Sequence, residues 1–307
     1  MNSVGLAGVV DKSLDAVLAE FPQPLDELAS GRVLAFVFRA AYPPSWRRSL
    51  VDRLVREELL YDSRQPIPEK FLEAAIPEGY YREGRNGEAS QTWESKKQEG
   101  RTRIDIGTSL GYRGSDQKAF FAHAAETHAL FQRLFADGDN PIQIIYDALA
   151  RLGCGRQVMT AHEPDGRRYG PAIIRAHYGG YTYKPHFDSV RLREKREDFA
   201  AYQFDHRFAG VLVLQNSQLD GATAQGILHH CLWEPEIDPH LKNDTFHEYA
   251  RQHGIGHTAV HLEPGDLYFF NTRLIHEVPG VAGELPRVVL ATFVGYSPSR
   301  NEIFVWS

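Results

Sequence analysis

The sequence predicts a mainly β protein with helices, in which a jelly roll or barrel follows a mostly helical first half. Three observations predict it. The hydrophobic period changes near residue 155, from helical spacing to short runs. From Pro171 onward eight such runs are separated by glycine, proline and asparagine signals. Helices do not alternate with these runs, which argues against a parallel sheet.

In chain order, GRVLAFVF (31–38) reads as an early strand. AYPPSWRRSLVDRLVREELL opens with prolines and continues at helical spacing, so it reads as a helix. The polar, glycine-bearing stretch 79–103 reads as a long surface loop. DQKAFFAHAAETHALFQRLF and NPIQIIYDALARLG are two further helices, joined by a GDN turn. The eight strands are then PAIIRAHY, YTYKPHFD, FAGVLVLQN, QGILHHCLW, HTAVHL, DLYFFN, RLIHEV and RVVLATFVGY, with the helix NDTFHEYARQHG inserted among them. The expected organisation is a helical region, 1–155, packed on a β core, 156–307, as one compact unit.

The chain has 307 residues, enough to bury a full core without staples. Its 42% hydrophobic and 24% charged content is that of an ordinary globular protein. A net charge of -6 argues against nucleic acid as a partner. No apolar run approaches the roughly 18 residues of a membrane span. Two cysteines make no disulfide framework, and the start shows no secretory signal. A cytoplasmic enzyme acting on a small molecule is the expectation.

One string carries chemistry: GGYTYKPHFDSV, residues 179–190. On a strand, residues i and i+2 share a face about 6–7 Å apart, so His186 and Asp188 can offer an imidazole nitrogen and a carboxylate oxygen to one ion. His276, near the end of RLIHEV, is the best third ligand. Two histidines and a carboxylate with open positions opposite suit non-haem iron(II), and zinc would also accept them. With 14 histidines, chance pairs are common. His261 with Glu263 is one, running into a Pro-Gly-Asp turn. His247, His253 and His257 are read as surface histidines, because nothing in the sequence supplies them a dry surrounding. Arg287 heads a strand apolar on both faces, where a guanidinium needs a carboxylate partner. Its fork suits a dicarboxylate with its other end on the metal.

His186-Phe187-Asp188, then His276, then Arg287, set on late strands, resembles the iron(II)- and 2-oxoglutarate-dependent dioxygenases. The resemblance covers about residues 157–307. The Tyr-x-Pro-His-x-Asp string ending at Asp188 is similar to the prolyl hydroxylase branch. The resemblance implies a double-stranded β-helix (jelly roll), iron(II) on His186, Asp188 and His276, and Arg287 on the distal carboxylate of 2-oxoglutarate. Tyr178 would assist that grip, on the expectation that Ala172, Ile174, Ala176 and Tyr178 form the inner side of their strand. With O2 as the second cosubstrate, the implied outcome is hydroxylation of a C–H bond with release of succinate and CO2. Halogenating relatives carry a small residue where Asp188 stands, so its presence makes hydroxylation the expectation.

There are departures from the pattern. Val289 stands where many members carry serine or threonine, leaving Tyr178 or Thr292 to supply a hydroxyl. The approach to the metal is one residue short, and Asp220-Gly221-Ala222-Thr223 replaces a glycine pair. Collagen-type or peptidyl-proline substrates are therefore not implied, and a small metabolite is expected, such as an amino acid or natural-product intermediate. The charged segment after Asp188 reads as a lid, with Arg193 and Arg196 as substrate contacts. Gln215 and Trp233 are further candidates for the pocket wall, as is His229. The competing expectations are a cupin-like metal enzyme, an isomerase or hydrolase that needs no 2-oxoglutarate, a peptidyl hydroxylase, and a non-catalytic binding protein on the same scaffold.

Overall fold

The structure, a computed structural model, describes residues 8–68, 71, 102–136 and 140–307. Fifteen strands are present among them: β1 Val9–Asp11, β2 Ala35–Phe38, β3 Thr102–Ile106, β4 Gln157–Thr160, β5 Ile173–Tyr178, β6 Tyr183–His186, β7 His206–Gln215, β8 Gln218–Leu219, β9 Ala222–Thr223, β10 Gly226–Leu232, β11 His257–Val260, β12 Leu267–Asn271, β13 Leu274–Val278, β14 Arg287–Tyr296 and β15 Glu302–Trp306. The large sheet runs β1-β2-β12-β7-β14. The far edge of β14 is shared, with β5 on Arg287–Ala291 and β15 on Phe293–Gly295. β3 extends the sheet beyond β5, and β4 extends it beyond β15. The small sheet is β11-β10-β13-β6. β8 and β9 form a separate hairpin.

Alternation along the central strands assigns the two faces of the large sheet. Val211, Val213, Val289 and Ala291 meet Leu228, Val260 and Leu274 of the small sheet, so this face lies between the sheets. Leu212, Leu290, Val294 and Phe269 point the other way, into a core shared with the helices. Helix Pro141–Leu152 starts with Asn140 accepting from the Ile142 N–H and with proline in the first turn. It buries Ile142, Ile145, Leu149 and Leu152 at three- and four-residue spacing. Helix Gln117–Leu134, capped by Asp116, adds Phe131 and Leu134 to the same core. Each such buried side chain contributes roughly 1.5–3 kcal/mol.

The expected helices and eight late strands are all present, with boundaries that differ by a few residues at most ends. The first half is less purely helical than its spacing suggests: β1, β2 and β3 enter the large sheet, so that sheet draws on both sides of residue 155. The strand β15 also went unread, because NEIFVW alternates too briefly to stand out from a turn. Most of the expected surface loop, residues 79–101, lies outside the described residues; Arg103 at its end belongs to β3.

A close backbone approach aligns the strands of the site. Gly280 follows β13 and lies against Gly180 before β6, so near that a Cβ on Gly280 would sit 1.8 Å from the Gly180 carbonyl oxygen. The Gly280 N–H also donates to Thr182 Oγ1 at 3.1 Å. Only a residue without a side chain allows this clasp.

Candidate metal centre and cosubstrate pocket

β6 and β13 are antiparallel neighbours, and His186 stands directly opposite His276. Asp188 lies just past β6, where its N–H donates to the Thr272 carbonyl and the Thr272 hydroxyl donates to its carbonyl, both at 2.9 Å. Each histidine Nε2 is then 3.7 Å from Asp188 Oδ2. The three ligand atoms all lie within 4.8 Å of one another.

The tautomers fit a metal. His186 Nδ1 bonds the Lys184 carbonyl at 2.7 Å, and His276 Nδ1 bonds the Leu274 carbonyl at 2.8 Å. A carbonyl only accepts, so Nδ1 carries the proton and the Nε2 lone pair faces the shared point. Burial, helped by His276, holds the His186 pKa well below its ordinary value and so keeps it neutral. Burial pushes Asp188 the other way, but its contact with His276 and the charges of Arg207 and Arg193 outweigh this and hold it well below the carboxylate range. Two imidazole nitrogens and one carboxylate oxygen therefore converge, the donor set a divalent ion takes.

Behind this group the space between the sheets is cationic. Arg287 and Tyr268 are buried beside each other, and the Arg287 Nε has no hydrogen-bond partner among the described residues. Tyr268 stacks on Phe270, which meets His276 edge-on at 4.9 Å. His177 stands opposite Arg287 on β5, and neither of its ring nitrogens has a hydrogen-bond partner among the described residues. Burial first, then Arg287 and Arg103, keep His177 well below its ordinary pKa. Arg103 forks onto Asp105 at 2.9 and 2.6 Å, and Arg175 Nε lies 3.9 Å from the same carboxylate. Tyr183 links this layer to the triad, parallel to His177 and edge-on to His186. Arg103, Asp105, Arg175, His177 and Tyr268 were missed in the sequence; their signal was polar residues alternating within apolar strands.

Several expected contacts are placed elsewhere. Tyr178 points to the helical side of the sheet, where it stacks on Tyr61 at 4.0 Å and bonds the Tyr61 backbone at 2.9 and 3.2 Å. Alternation had separated the faces of β5 correctly, but the inner one is Ile173-Arg175-His177. Thr292 gives its hydroxyl to the Gly210 carbonyl, so the hydroxyl beside Arg287 is that of Tyr268. Trp233 stacks on Phe187, in the cluster beneath the helices at 238–252. His229 also faces away from the triad, on the outer side of its strand. Gln215 bonds the Pro286 carbonyl at 2.9 Å. Arg193 turns back on the triad, donating to Asp188 Oδ1 at 3.1 Å and to the Phe187 carbonyl at 2.7 Å. Arg196 packs against Gly114. The segment after Asp188 is tied down by a buried ion pair, Glu194 to Arg207 at 2.8 Å.

Two sheets with a two-histidine, one-carboxylate group between them define a non-haem metal enzyme. The family model described as carrier-protein-independent halogenase WelO5 matches residues 84–307. The chain belongs to that family, and through it to the iron(II)- and 2-oxoglutarate-dependent oxygenases, so its cofactors are iron(II) and 2-oxoglutarate. This removes the alternative of a metal enzyme without 2-oxoglutarate.

Among solved structures, an N-substituted L-amino acid dioxygenase of Burkholderia ambifaria AMMD in complex with alpha-KG is similar at TM-score 0.50 and 13% identity, over 92% of this chain and 90% of that one. The structure of that enzyme without the ligand in its description gives TM-score 0.45 and 16% identity, over 73% and 84%. At these identities the first likeness concerns the fold, and the second carries no further weight. No curated protein shows significant similarity to the chain. No helix among the described residues is long and apolar enough to cross a membrane.

Proposed function

We propose that this chain hydroxylates a C–H bond of a small metabolite, an amino acid or natural-product intermediate, and releases succinate and CO2. The observation that carries the proposal is the Asp188 carboxylate, aimed with His186 and His276 at one point. Although the family is described by a halogenase, a carboxylate here takes the place that halide needs in halogenating relatives. Iron with 2-oxoglutarate and O2 supplies the oxidising chemistry. His186, Asp188 and His276 would hold the ion, and Arg193 would orient the outer oxygen of Asp188.

Arg287 would receive the distal carboxylate of 2-oxoglutarate, with the Tyr268 hydroxyl beside it. The same reading takes the facing sheets as a double-stranded β-helix and the helices before residue 155 as its cover. The test supplies iron(II), 2-oxoglutarate, 18O-labelled O2 and chloride with panels of amino acids and natural-product intermediates. The expected result is succinate formed in step with a product carrying one labelled oxygen. A chlorinated product, or succinate coupled to desaturation or ring closure without oxygen insertion, would overturn hydroxylation.

A further inference from the structure

The small sheet carries a second group of metal-ligand side chains, on the face opposite the triad. Leu228 pairs with His276 and Ile227 pairs with Glu277. Successive residues of a strand alternate in direction, so Leu228 and His276 face inward while His229 and Glu277 face outward. Helix Phe246–Gln252 covers that outer face, with Phe246 edge-on to His229 at 4.8 Å. The helix delivers His247. His229 Nε2 is 2.9 Å from Glu277 Oε1, and His247 Nε2 is 3.4 Å from Glu277 Oε2. The three ligand atoms lie within 4.8 Å of one another.

We propose that His229, His247 and Glu277 form a second divalent transition-metal site, of the zinc type, distinct from the iron centre. Glu277 and His229 are buried, and each oxygen of the Glu277 carboxyl meets a histidine nitrogen. Tetrahedral zinc with bonds of about 2.05 Å separates its ligands by about 3.3 Å, and each histidine nitrogen lies near that distance from its own oxygen of Glu277, at 2.9 and 3.4 Å. His247 is exposed, so the ion has a path from solvent and a water-accessible fourth position. His257 pairs with His229 across the strands, its ring 5.7 Å away, and is a further donor beside the group. The ion would clasp the helix to β13, the strand that presents His276.

The experiment uses the full chain without a histidine tag, stripped with EDTA, titrated with zinc(II) and read by native mass spectrometry. Two ions are expected in the parent protein, because zinc also fits the triad. His247→Ala, a surface change that leaves packing intact, is expected to bind one, as is Glu277→Gln. His186→Ala/His276→Ala is also expected to bind one, held outside the iron site, and zinc should then slow amide exchange in residues 246–252. A single ion in the parent protein, or two still bound by both His247→Ala and Glu277→Gln, would overturn the site.

Discussion

The two faces of the small sheet hold the same ligand types, two histidines and one carboxylate, yet differ in how those side chains are held. On the inner face both histidines give Nδ1–H to backbone carbonyls, and Arg193 grips the carboxylate. On the outer face His229 has no such partner for Nδ1, and one histidine rides on a helix. Adjacent residues of β13, His276 and Glu277, belong to opposite groups. The difference teaches that residue type nominates a site, while the atoms around it determine whether the ligands are organised before the ion arrives.

The sharpest way to break the comparison is His276→Ala. It should abolish succinate formation, a loss well beyond the roughly 10–100-fold cost of removing an outer partner, while the outer zinc ion remains. Retained turnover would remove the triad. Arg287→Gln comes next: the KM for 2-oxoglutarate should rise by about 10–100-fold, as expected for losing a charge-assisted bond of about 1.5–3 kcal/mol, with iron binding preserved. Arg193→Ala should weaken iron(II) binding by about tenfold, measured by competition with a chromophoric chelator; an unchanged affinity would leave Arg193 a surface contact.

A smaller effect concerns pH. Because His177 is held well below its ordinary value by burial and by Arg287 and Arg103, the folded protein resists a proton that the unfolded chain accepts. That contribution is complete above about pH 6.5 and is lost as pH falls from there toward the depressed folded value, at up to about 1.4 kcal/mol per unit. Urea unfolding at pH 7.5 and 5.5 should therefore show a smaller loss in His177→Asn than in the parent. The smallest effect is that of Tyr178→Phe, which should cost about 1 kcal/mol of stability and leave the KM for 2-oxoglutarate unchanged. A raised KM would return Tyr178 to the pocket.

Much of this was legible because strands and helices advertise their periods. The triad could be read since His186 and Asp188 are two apart and His276 lies on a strand bounded by a proline-glycine turn. Tyr178 could not be placed, because β5 has one wholly apolar face and one face mixing Ile173 with Arg175 and His177, and helices cover the apolar one. The histidines at 229 and 247 read as unrelated for a similar reason, since nothing local shows that a helix will fold over the back of β10.

By itself the sequence determined which residues could act as ligands, which strands would alternate and where the chain must turn, since these depend on neighbours a few residues apart. Only the tertiary structure decided which face of each strand became the interior, that His186 and His276 stand opposite one another, and that Tyr268 rather than Tyr178 meets Arg287. The physical reason is that alternation is symmetric: it sorts side chains into two sets, and only the packing of distant segments chooses which set is buried against which partner.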